Sequence, residues 1–205
     1  MGFDLTKGSS FDLSKEAPGL IQAGVGMGWK TDADLDVSAF CIGEDGHIPE
    51  MTDFVFFNSS LRTTLEGEDG PRPYSTDGAV YGAIDQLLNL LDRGDEDEDG
   101  DDVDMWIYFD RIGDNIKEIL IVVTIYEAAE HGVSFQDVSG CYCRIWNQDT
   151  GEELCRYTLS DNFGASDSVE IGKFVRNGND WTFQAVGDEY NGGLLTFIKK
   201  YAYRF

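Results

Sequence analysis

Apolar and polar residues alternate along much of the chain with the period of two that marks half-buried strands. Phe3-Asp4-Leu5 and Phe11-Asp12-Leu13 alternate in this way with Gly8 between them, which predicts a small hairpin. Further strands are predicted over residues 20–29, 36–42 (ended by Glu44-Asp45-Gly46), 53–58, 105–109, 117–126, 141–146, 153–159, 168–176 and 181–186. The run ILIVVTIY within 117–126 is almost unbroken and rich in β-branched residues, as in a strand buried on both faces. Gln148-Asp149-Thr150-Gly151 and Asn177-Gly178-Asn179-Asp180 supply turns, the second with an Asn-Gly step. About ten short strands separated by turn chemistry predict an all-β fold, a β-sandwich.

Helical spacing predicts one or two short peripheral helices. Over 78–91 it aligns Val80, Ile84, Leu87, Leu88 and Leu91 on one face. Over 191–203 it aligns Leu194, Leu195, Ile198 and Tyr201, behind Gly192-Gly193. Residues 61–74 are polar, hold Pro71 and Pro73, and read as a surface loop leading into the first helix. The 205 residues therefore suit a single domain (1–205) with an insertion at about 59–91.

Composition allows a sizeable core, with 41% hydrophobic and 13% aromatic residues. Lys and Arg total 15 against 39 Asp and Glu, a formal net charge of −24. Such a surface repels phosphate backbones and anionic membranes, so direct nucleic-acid and membrane binding are not expected. No apolar run reaches the roughly 18–20 residues of a membrane span. The first residues lack the basic and apolar regions of a signal peptide, and a cytoplasmic location is expected. Cys41, Cys141, Cys143 and Cys155 do not have zinc-site spacing and read as reduced, mostly buried thiols. His47 and His131 have no catalytic neighbour, and no phosphate-binding loop is visible. Gly24, Gly26 and Gly28 alternate inside a strand, not before a helix. No catalytic or organic-cofactor residues are assigned, and an enzyme is not expected.

Two acidic segments remain: Asp32-Ala33-Asp34-Leu35-Asp36, and residues 94–104, which hold Asp95, Asp97, Asp99, Asp101 and Asp102. Crowded carboxylates are unfavourable unless solvated or neutralised. A calcium ion takes about six to eight oxygen ligands and suits short Asp side chains in a Gly-containing loop. At the start of a strand, Asp34 and Asp36 share one face while Leu35 and Val37 point to the core. On its own, the longer run reads more readily as a solvated loop. It is not an EF-hand, because Trp106 would occupy the position that needs a bidentate Glu.

In order along the chain, FDLSKEAPGLIQAGVGMGW, DADLDVSAFCIGEDGHI, DFVFFN, EDGDDVDMWIYFDRI, KEILIVVTIYEAAEHGVSFQDV, RIWNQDTGEELCRYTLS and FQAVGDEYNGGL resemble the TerD family of tellurium-resistance and general-stress domains. The resemblance implies a calcium-binding β-sandwich. The family's paired aspartates fall on Asp34 and Asp36, and its F-Y-N element falls on Phe56-Phe57-Asn58, with Phe for Tyr. The family's G-D-N-x-T-G-E-G-D-G-D-D stretch ends on Asp99-Gly100-Asp101-Asp102. Its opening Gly-Asp falls on Leu91-Asp92 without a gap, or on Gly94-Asp95 after a three-residue deletion. The implied metal ligands are thus Asp34, Asp36, Asn58, Asp95, Asp97, Asp99, Asp101 and Asp102. Against the family pattern the loop is shorter or has lost glycines, with Glu96 and Glu98 among its acidic residues, and Arg93 stands at the loop entrance, where its charge opposes a cation. The function implied is a calcium-binding stress-response protein, working through calcium and protein partners in a stress-response complex. The alternative is an acidic scaffold without specific metal binding.

Overall fold

The β-branched run at Ile116–Ile125 becomes an interior strand buried along nearly its whole length, in a computed structural model that describes residues 2–68, 70–84, 100–159 and 163–202. Two six-stranded sheets pack face to face as a sandwich. Sheet A runs β1 (Phe3–Leu5), β12 (Glu153–Thr158), β11 (Ser139–Asn147), β3 (Gln22–Lys30), β9 (Val103–Tyr108), β8 (Val80–Tyr81). Sheet B runs β2 (Ser10–Asp12), β14 (Asp180–Tyr190), β13 (Ser168–Asn177), β10 (Ile116–Ile125), β4 (Leu35–Gly43), β5 (Phe54–Val55). Strands β6 (Arg62–Thr63) and β7 (Arg72–Pro73) form a separate two-stranded ladder. Three short helices, α1 (Leu13–Glu16), α2 (Ala128–His131) and α3 (Gly193–Tyr201), complete the described α-helical elements.

Alternation sets the layers. Val25, Met27, Met105, Ile107, Cys143 and Ile145 of sheet A meet Ile119, Ile121, Val123, Phe174 and Phe183 of sheet B in the inner core. Each large apolar side chain removed from water there contributes about 1.5–3 kcal/mol. A second cluster covers the outer face of sheet B, where Phe40, Leu120 and Val122 pack under Phe197 of α3. Burial on both faces explains why β10 reads as a continuous apolar run. Asp167 fastens the start of α3, accepting from the Gly193 N–H at 2.9 Å and the Gly192 N–H at 3.0 Å. Gly192 sits at φ 105°, a conformation few side chains tolerate. The other end is tied by Lys200 and Tyr201, which donate to Glu170 at 2.8 and 2.6 Å.

Three local expectations are corrected. The runs at 3–5 and 11–13 do not form a hairpin with each other. β1 pairs in parallel with β12 in sheet A, and β2 pairs with β14 in sheet B. Leu13 begins α1, whose N-cap is Asp12, accepting from the Lys15 N–H at 3.0 Å. The strand expected over 53–58 is only Phe54–Val55, because a 3-10 turn (Met51–Asp53) precedes it and a turn closed by Ser59 follows. The helix expected over 78–91 does not begin at 78. Gly78 is left-handed, and Val80–Tyr81 pairs with Ile107 and Trp106 of β9. Leu87, Leu88 and Leu91 lie outside the described residues. All four cysteines are buried thiols.

Candidate functional site

Strand direction gathers the described residues among the expected ligands at one end of the sandwich. β3 runs toward that end and β4 starts from it; β5 runs toward it and β9 starts from it. On sheet B, Tyr126 N–H donates to the Asp34 carbonyl at 2.8 Å, extending the β4–β10 ladder through Asp34. Leu35 and Val37 lie in the inner core, so Asp34 and Asp36 share the outer face, as expected. The β4–β5 register, Ala39 with Val55 and Phe40 with Phe54, carries the following turn at Asn58 toward the level of Asp36. Asp34 and Asn58 are exposed, while Asp36 is half-buried opposite Thr124.

Asp101 and Asp102 stand at the same end on sheet A. The Asp102 N–H donates to the Met27 carbonyl, and its Oδ2 accepts from the Trp29 N–H, both at 2.8 Å. Asp101 turns instead onto the outer face of sheet A. Its Oδ1 accepts from Arg144 Nε at 2.8 Å and its Oδ2 from Arg144 Nη2 at 2.7 Å, a bidentate clasp. The Tyr142 hydroxyl donates to Oδ1 at 2.8 Å. Burial, that hydrogen bond and the Asp101 charge push the Tyr142 hydroxyl up to about 12. The carboxylate lies in a trench made by the alternating glycines of β3. A Cβ on Gly26 would fall 2.0 Å from Asp101 Oδ2, one on Gly24 2.1 Å from the Trp146 ring, and one on Gly28 2.5 Å from the Tyr142 ring. The Arg144 guanidinium in turn stacks over Trp146, 4.8 Å from its centroid.

The structure thus brings Asp34, Asp36, Asn58, Asp101 and Asp102 to one end but aims Asp36 and Asp101 along the outer faces of opposite sheets. Asp95, Asp97 and Asp99 lie outside the described residues. Among the described residues, no three acidic, His or Cys side chains stand close enough to share one ion. The donors are all carboxylate or amide oxygens, which in kind fit a hard cation such as calcium and not a soft metal. Sequence reasoning did not find Arg144 and Tyr142, although three glycines on one strand face signalled that bulky groups lie over that strand. A separate cleft of about 520 Å³, lined by Leu13, Phe109, Asp114, Arg176 and Trp181, opens at the opposite end and contains none of the expected ligands. No described helix is long and apolar enough to cross a membrane.

The TerD domain family model matches residues 1–201. General stress protein 16U of Bacillus subtilis is 34% identical, the alignment covering 98% of this chain and 97% of that protein. Tellurium resistance protein TerD of Serratia marcescens is 33% identical over 98% of this chain and 97% of that one. A crystal structure of a telluride resistance protein (TerD) homologue from Streptomyces coelicolor A3(2) superposes with a TM-score of 0.60. It is 18% identical and covers 87% of this chain and 95% of its own, a likeness of fold. The resemblance carried by the sequence motifs is therefore borne out, and the chain belongs to the TerD domain family, among tellurium-resistance and general-stress proteins.

Proposed function

We propose that this protein binds calcium at the acidic end of its sandwich and serves resistance to tellurite or chemical stress by binding, not by catalysis. The observation that carries the reading is the corner of Asp34, Asp36 and Asn58, oxygen donors set by strand register at the end that also holds Asp102. The names of the relatives support the stress role. A net charge of −24 favours cations and basic protein partners over nucleic acid, and a cytoplasmic site of action follows from this reading. A calcium-free acidic scaffold is the second reading, favoured by the engagement of both Asp101 oxygens with Arg144.

Calorimetric titration with calcium chloride tests the choice. Saturable heat is expected, with Asp36→Asn losing most of the affinity and Asp149→Asn, far along the chain, losing little. Binding to the native state alone adds about 2.7 kcal/mol of stability at a hundredfold excess over Kd. If chelator leaves the melting temperature unchanged and the titration gives no saturable heat, the scaffold reading stands instead.

A further inference from the structure

Asp101 already holds a cation, but the cation is part of the chain. Arg144 occupies both of its oxygens, Tyr142 adds a hydrogen bond, and the Gly26 trench leaves the carboxylate room to lie there. The pair is largely shielded from water, with side-chain exposures of 11% for Asp101 and 31% for Arg144. Lys and Arg number only 15 against 39 acidic residues. One of these few cations is thus placed on a carboxylate of the longer acidic segment.

We propose that Arg144 is an internal counter-ion competing with calcium for Asp101. This rests on the calcium reading above. With no ion bound, Asp101 lies clasped in the trench and its charge is spent on Arg144. Calcium at the sandwich end draws Asp101 away, with Gly100 next to it as the pivot. The guanidinium then loses its bidentate partner and keeps only Glu153, 3.7 Å from its Nη1, and the row Tyr142–Arg144–Trp146 on the outer face of sheet A is opened to a partner. Arg144 therefore sets the metal affinity, and the metal sets the state of that face. A guanidinium released beside Trp146 and Tyr142 suits a single carboxylate on a protein partner that is otherwise basic, since Arg binds carboxylates in a bidentate, planar manner.

Calcium chloride titrations of the full chain and of Arg144→Met, followed by calorimetry and tryptophan emission, test this. Trp146→Phe identifies the emission that belongs to Trp146. Arg144→Met is expected to bind calcium about tenfold more tightly, the scale of one charge-assisted interaction no longer to be broken. Calcium should shift Trp146 emission in the parent protein and leave it unshifted in Arg144→Met. Tyr142→Phe, which removes a single hydrogen bond, should tighten binding by a smaller factor, and it keeps the test decisive if Arg144→Met does not fold. Parent-like calcium affinity in these variants, with Trp146 emission indifferent to calcium, would overturn the proposal and make Asp101 a structural clamp. Absence of saturable heat in parent and variants alike would remove the calcium reading itself, and the competition with it.

Discussion

Arg72 is a buried arginine that holds Asp104 through both carboxylate oxygens, at 2.9 and 3.1 Å from Nη2. Its Nε donates to Glu68 at 2.6 Å, its Nη1 donates to the carbonyls of Gly82 and Asp104, and its guanidinium lies 4.8 Å from the Trp106 ring centroid. One side chain thus ties Glu68 and the Gly82 carbonyl to the outer face of sheet A.

Arg72→Met should therefore destabilise the protein by about 3 kcal/mol or more, because it leaves the Glu68 carboxylate buried beside an apolar stem. Asp104→Asn should cost less, since the amide still accepts from Nη2 and Glu68 still balances the charge. Urea unfolding of both variants checks the order. Equal losses would show that the Glu68 pairing adds nothing.

Acid should unfold the protein through two carboxylates in particular. Hydrogen bonds from Arg156, then its charge, hold Glu153 below the usual range. Burial works against Asp167, yet bonds from Ser168, Gly192 and Gly193 still hold it low. Both groups bind a proton less tightly folded than unfolded. Their contribution is complete above the unfolded value, about pH 4, and is lost as pH falls through the lower folded value. Asp53 acts in the opposite sense, because burial raises it and its contribution fades as pH rises through its folded value. Asp167→Ala should lower stability at neutral pH by about 1 kcal/mol, the scale of a lost helix cap, and flatten the acid limb of a stability–pH curve. An acid limb of unchanged slope would remove Asp167 from this account.

Gly26→Ala should evict Asp101 from the trench. Overpacking of this kind costs about 1–3 kcal/mol. In the double variant Gly26→Ala with Asp101→Ala, the clash is gone, so its loss should be smaller than the two single losses added together. Thermal unfolding of the three variants measures the coupling. Strict additivity would mean that the carboxylate does not rest on Gly26 in solution.

Calcium should protect residues 61–91 from limited proteolysis more than magnesium does at equal concentration. Magnesium demands near-octahedral geometry at about 2.0–2.1 Å, whereas donors drawn from separate strands suit a larger and more tolerant ion. Identical cleavage with calcium, magnesium and chelator would argue against an ordered ion linking these segments.

The long strands were legible because burial imposes period two on them wherever they pair. The partners of β1 and β2 were not. Three-residue strands bonded to residues far along the chain leave no local trace, and proximity in sequence suggested a hairpin instead. Around residue 80, Val80 and Ile84 fitted a helical face, but pairing with β9 overrode that spacing. Asp34 and Asp36 were legible from strand alternation alone. The clasp of Asp101 by Arg144 was not, because two residues on different strands carry no motif. Its trace was the glycine alternation, which marks an overlying group without naming it.

Because Phe11 pairs with Phe183 and Phe3 with Cys155, the N-terminal strands cannot find their places until the far side of the chain exists. A ribosome adds about 5–20 residues per second, so these segments wait on the order of ten seconds between their own synthesis and that of their partners. During translation each sheet is therefore left with a raw edge, at which β12 or β14 later receives the oldest part of the chain. A message truncated before residue 180 would yield a protein in which β1 still finds β12 but β2 has nowhere to go, and the quality-control machinery would meet the uncovered β13 as an unpaired edge.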